Sequence, residues 1–122
     1  LFLPAGFKNN ERKTMKQYEG HRTRQGVEVT VNGVPLNPRP DLRNHSPTGF
    51  EWVYCGSGPA QLALAILADH LANDEQALNL YQRFKWAVIA GLPHKGWKLT
   101  SVDIDQAVQR IREHEAVMGG AT

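Results

Sequence analysis

Val27-Glu28-Val29-Thr30-Val31 alternates β-branched apolar residues with polar ones, the period-two pattern of a strand buried on one face. Asn32-Gly33 follows, and both residues tolerate positive φ, so the pair predicts a tight hairpin turn. Val34-Pro35-Leu36 then returns as a short partner strand. Pro35 has no N–H to donate, which places that strand at a sheet edge. Prolines at 38, 40 and 47 make the stretch from Asn37 to Pro47 a loop. Phe50-Glu51-Trp52-Val53-Tyr54 alternates again and is rich in strand formers. It predicts a third strand, with Phe50, Trp52 and Tyr54 on one side and Glu51 turned away to solvent.

The period then changes. Pro59 suits the first turn of a helix, where its missing N–H costs nothing. Ala60–Leu71 is apolar nearly all round, which predicts a central, buried helix. Asn73-Asp74 offers a cap for a second helix over Glu75–Ala90. Its residues Ala77, Tyr81, Phe84 and Val88 form one apolar stripe. Gly91 stands where a left-handed terminating residue is wanted, and Pro93 prevents continuation. Trp97-Lys98-Leu99 reads as a short fourth strand. Thr100 and Asp103 have the spacing of a capping box, with Asp in place of the preferred Glu. They introduce a third helix over Ser101–His114, with Ile104, Ala107, Val108 and Ile111 inward. The expected fold class is α+β: a small antiparallel sheet, made of a β-hairpin plus one or two strands, packed against about three helices.

Composition narrows the picture. The 122 residues suit one domain, and no apolar run is long enough to span a bilayer. A single cysteine leaves no internal disulfide and no Cys-rich zinc site. Residues 1–14 show no periodicity and no secretory pattern, and read as an extension ahead of a domain over 15–118, with 119–122 as a flexible tail. A cytoplasmic location is the expectation. The formal charge of +2 is uneven. Residues 1–49 carry eight Lys/Arg and four acids, and residues 50–122 carry six and eight. A basic front half fits either a nucleic-acid face or a solvated surface without a partner.

Cys55-Gly56-Ser57-Gly58-Pro59 joins the aromatic segment to the first helix. Amides at a helix N-terminus attract anions, so Gly56, Ser57 and Gly58, with His45 and Arg43 from the preceding loop, form a candidate anion or ligand site. The run lacks the Lys-Ser/Thr of a P-loop and the third glycine of a dinucleotide fingerprint. The competing reading is a tight turn in which Ser57 caps the helix. Cys55 reads as a small hydrophobe rather than a nucleophile. The five histidines are scattered, with no metal-ligand spacing, so neither a metal nor another cofactor is expected, and no catalytic constellation is visible. Arg83, Lys85 and Trp86 flank Phe84, and Trp86 lies off the apolar stripe. Trp52, Trp86 and Trp97 are therefore the candidate interface residues.

The chain resembles a family of small bacterial proteins of unknown function. The likeness rests on Asn44-His45-Ser46-Pro47-Thr48-Gly49-Phe50-Glu51-Trp52, on Gly56-Ser57-Gly58-Pro59-Ala60-Gln61-Leu62-Ala63-Leu64-Ala65, on Tyr81-Gln82-Arg83-Phe84-Lys85-Trp86, and on Leu99-Thr100 with Asp103-Ile104. It spans roughly Tyr18 to Ala107. The resemblance implies a compact domain found in chromosomes, plasmids, phages and other mobile elements, and brings no activity, cofactor or catalytic residue. Where the relatives tend to show glycine, this chain has Val53 and Cys55. The reading that follows is a non-enzymatic binding or adaptor protein that docks a protein partner or a second copy of itself, with no membrane association. The alternative is a nucleotide- or nucleic-acid-binding module using the glycine loop, with Arg22, Arg24, Arg39 and Arg43 nearby.

Overall fold

The computed structural model describes residues 15–46 and 49–120, with side chains through 117. Residues 1–14, 47, 48, 121 and 122 lie outside it, so the expected N-terminal extension and the end of the expected tail are not among the described residues. Four strands form one antiparallel sheet: β1 (Gln17–Thr23), β2 (Gly26–Val31), β3 (Val34–Pro35) and β4 (Gly96–Thr100). Their spatial order is β3-β2-β1-β4. Three helices complete the α+β fold: α1 (Ser57–Leu71), α2 (Asp74–Ala87) and α3 (Ser101–Gly120).

The β2–β3 hairpin turns on Asn32 and Gly33, at φ of 50° and 82°, as that dipeptide predicts. Pairing register sorts the sheet's two faces. Tyr18 lies between Val31 and Leu99, and Gly20 between Val29 and Trp97. Tyr18, Gly20, Val29 and Trp97 are buried, whereas His21, Glu28 and Lys98 on the other face meet solvent. The helices cover the first face. α1 is buried continuously from Gly58 to Ala68, as its all-round apolar sequence requires. Ala77, Leu80, Tyr81 and Phe84 of α2 and Ile104, Val108 and Ile111 of α3 close the same core.

Local chemistry sets the helix ends. Asn73 Oδ1 accepts from the Gln76 amide at 3.0 Å and starts α2. Thr100 and Asp103 make the reciprocal capping box: the Thr100 amide donates to Asp103 Oδ2 at 2.9 Å, and the Asp103 amide to Thr100 Oγ1 at 3.2 Å. Three expectations need correction. α2 ends with Val88 as its cap, and Gly91 sits in a 3-10 turn, Ile89–Gly91, instead of terminating the helix in a left-handed conformation. α3 runs past His114 to Gly120, so the first part of the expected tail is helical. The third correction concerns Phe50–Tyr54, which is no strand. Trp52 does point inward and is buried, but Val53 takes φ of +87° and its amide donates to Ile89 O. A β-branched residue at that φ breaks any ladder. β1 takes the sheet position instead.

Candidate functional site

The glycine loop is held by the segment before it. Gly56 is the N-cap of α1 with no side-chain cap, so Ser57, which is exposed, does not cap the helix as expected. Gly58 is buried, and a Cβ there would stand 2.7 Å from Glu51 Cβ. Glycine is needed at 58 because the Glu51 backbone and side chain lie against the start of the helix. The Glu51 carboxylate in turn takes two hydrogen bonds from Arg22: Nη1 to Oε2 at 3.0 Å and Nη2 to Oε1 at 2.8 Å. Those bonds hold the Glu51 carboxyl below its ordinary value, against a smaller upward push from burial. Glu51 is thus an ion-pair partner, not a residue turned to solvent.

The loop before it is tied further along α1. Gln61 is 1% exposed. Its Oε1 accepts from the His45 amide at 2.7 Å and the Ser46 amide at 3.3 Å. Its Nε2 donates to Pro38 O at 2.6 Å and to Arg43 O at 3.0 Å. One buried amide side chain thus bonds four backbone groups of an irregular loop, and its own polar atoms are satisfied in return. His45 Nε2 stands 2.6 Å from the Tyr81 hydroxyl, and the Arg43 guanidinium donates to Leu42 O. The nearby cavity, about 280 Å3, is lined by Pro38, Pro40, Asn44, Ser46, Gly49 and Gln61. Neither Arg43, His45 nor Gly56–Gly58 lines it. The candidate anion residues therefore fall into two separately tied groups, and none of them lines this cavity. Two of the four arginines of the nucleic-acid alternative are also engaged by carboxylates: Arg22 by Glu51, and Arg39 by Asp41 and Asp74.

The three tryptophans separate cleanly. Trp52 and Trp97 are 1% and 6% exposed. Their rings meet edge to face at 5.6 Å, Trp52 Nε1 donates to His94 O, and the Arg22 guanidinium lies over Trp52 at 4.7 Å. Both are core residues, which corrects their reading as interface candidates. The sequence did not distinguish them because a tryptophan in a short extended segment looks the same whether the chain's own core or a partner covers it.

Trp86 is 68% exposed. It stands at a groove of about 610 Å3 between α2 and α3. Ala87 and Val88 on one side and Ala107 and Ile111 on the other give the groove its apolar lining. Ala87 and Ala107 are short, which leaves the space open. Arg83, Arg110 and His114 complete the lining and are exposed. Lys85 places its ammonium 5.5 Å from the centre of the Trp86 ring. On α3, Ala107, Arg110, Ile111 and His114 share this face at steps of three and four residues, a helical pattern legible in the sequence. An ion pair from Arg83 to Glu115 and a hydrogen bond from Arg112 to Gln76 join the two helices beside it. Among the described residues, no three His, Cys, Asp or Glu side chains are grouped to hold a metal ion. None of the described helices is long and apolar enough to cross a membrane.

The sequence profile of a family of unknown function, DUF6166, matches residues 18–110. No curated protein and no solved structure matches the chain.

Proposed function

We propose that this chain, which belongs to the family of unknown function DUF6166, is a non-enzymatic docking protein that receives a segment of a partner protein in the groove between α2 and α3. The observation that carries the reading is Trp86, a large aromatic left 68% exposed beside an apolar groove while the other two tryptophans are buried. Exposed apolar surface rimmed by polar residues marks interaction sites, and tryptophan is the residue most enriched among interface anchors. The groove's size falls in the range of roughly 300–1,000 Å3 typical of binding clefts.

The test runs the wild-type chain and Trp86→Ala in parallel. Each is used as bait in an extract of its own cells, and any protein recovered by wild type alone is purified and titrated calorimetrically. The expected result is saturable binding to wild type, at least about tenfold weaker for Trp86→Ala, with both baits melting at the same temperature. Equal affinity for the two baits overturns the reading. Light scattering showing a wild-type dimer that Trp86→Ala converts to a monomer also overturns it, in favour of self-association.

A further inference from the structure

We infer that the segment received by the α2–α3 groove is an acidic amphipathic helix, its apolar side against Trp86 and Ile111 and its carboxylates against Arg110 and Lys85. This rests on the docking reading and names the partner's chemistry. The first argument is charge. No acidic residue lines the groove, whereas Arg83, Arg110 and His114 do, with Lys85 over Trp86. Arg83 is engaged by Glu115. Arg110 and Lys85 have no carboxylate partner among the described residues. Acids elsewhere on α1 and α3 have partners of their own. Asp103 caps α3 through Thr100, Asp105 bonds His70 at 2.6 Å, and Asp69 bonds Lys16 at 3.1 Å. Two unpaired cations beside an apolar trough favour a partner that brings carboxylates and bulky apolar side chains together.

The same charges disfavour other occupants. A second copy docked through this face about a two-fold axis would bring the cationic rim of one groove against the same rim of the other, a like-charge contact. The chain's own first fourteen residues carry Lys8, Arg12 and Lys13 against Glu11, the wrong sign for the groove. A nucleic-acid strand could set phosphates against Arg110 and Lys85, but the apolar lining of Ala87, Val88, Ala107 and Ile111 would be left without a matching surface. The shape selects a helix. The trough lies between two helices, and a third helix can set its i, i+3, i+4, i+7 side chains into such a groove. An added strand would need a sheet edge.

The test uses synthetic probes in fluorescence-anisotropy titrations. One peptide carries Leu at i, i+3, i+4 and i+7 with Glu elsewhere; a second replaces every Glu by Lys; a third keeps Glu and replaces every Leu by Ser. A single-stranded oligonucleotide is the fourth probe. The Glu/Leu peptide is expected to bind at least about tenfold tighter than the other three. That binding is expected to fall with Trp86→Ala, and Arg110→Glu is expected to bring the Lys/Leu peptide level with it or ahead. Circular dichroism melting checks that both variants stay folded. Equal or tighter binding of the Lys/Leu peptide to wild type, still lost with Trp86→Ala, overturns the acidic assignment and leaves the docking reading standing. Failure of all three peptides at millimolar concentration overturns the assignment too, and the capture experiment then judges docking separately. Trp86-dependent binding of the oligonucleotide above every peptide overturns both.

Discussion

The Trp97 indole lies on Gly20: a Cβ added to Gly20 would come within 2.4 Å of both Cε2 and Nε1 of the ring. β1 and β4 pair at this point, so the central strand gives up its side chain to make room for the widest one on its neighbour. Trp97 then meets Trp52 edge to face, and the two rings form one end of the core.

Gly20→Ala is therefore expected to destabilise the protein. Alanine gains roughly 0.5–1 kcal/mol over glycine in an extended strand. Forcing the indole aside costs about 1–3 kcal/mol, because overpacked cores relax only by strain. Overpacking wins, and urea denaturation should show a net loss of about 1–2 kcal/mol with a weakened near-ultraviolet tryptophan signal.

Gln61→Leu should be the most damaging of the single changes considered. Leucine has nearly the same bulk, but it removes the hydrogen bonds that Gln61 makes to the amides of His45 and Ser46 and to the carbonyls of Pro38 and Arg43. The loop is half-exposed and water can reach it, so each lost hydrogen bond costs about 0.5–1.5 kcal/mol, and a total loss of about 2–3 kcal/mol is expected in chemical denaturation. Gln61→Glu should not rescue it, since a carboxylate cannot donate to the two carbonyls.

The Arg22–Glu51 pair makes stability fall in acid. Glu51 has a depressed folded-state pKa, caused first by the hydrogen bonds from Arg22. Its contribution is fully present above the ordinary value of 4.5 and is lost as pH falls through the lower folded value. Both side chains are partly exposed, so solvent screening limits the contribution to about 1 kcal/mol. Wild type should exceed Glu51→Gln by that amount at neutral pH. The gap should close as the carboxyl protonates, which a pH series of chemical denaturations would show.

Val53→Gly should stabilise. Valine at φ of +87° stores about 1–3 kcal/mol of backbone strain, and its exposed side chain contributes little packing. The entropy of an added glycine takes back roughly 0.5–1 kcal/mol. A net gain of about 1 kcal/mol is expected, seen as a melting temperature higher by several degrees.

The elements that were legible are those whose local chemistry and packing agree. Asn32-Gly33, Asn73 and the Thr100–Asp103 box act within a few residues, and each does in three dimensions what its sequence says. β1 was not legible, because Gln17-Tyr18-Glu19-Gly20-His21-Arg22-Thr23 offers only Tyr18 as an apolar strand former. Its other buried residue is a glycine whose reason, Trp97, lies far along the chain. Phe50–Tyr54 misled for the opposite reason. Its alternation reflects one buried tryptophan beside exposed Val53 and Tyr54, with no strand beside it. The groove at Trp86 was half legible: the off-stripe tryptophan stood out, but its cationic rim depends on how α2 and α3 cross.

Lys16 and Ser101 exchange backbone and side-chain hydrogen bonds across 85 positions, where β1 meets the start of α3. Synthesis runs from the amino end, so β1 leaves the ribosome with β2 and β3 long before β4 exists. At ordinary translation speeds, its second edge waits roughly 4–17 s for a partner. During that interval an interior strand of the finished sheet is an open edge, the feature most prone to pair with a neighbouring nascent chain. A chain cut short before Gly96 leaves that edge unpaired, so such truncated copies should aggregate more than a chain that includes β4.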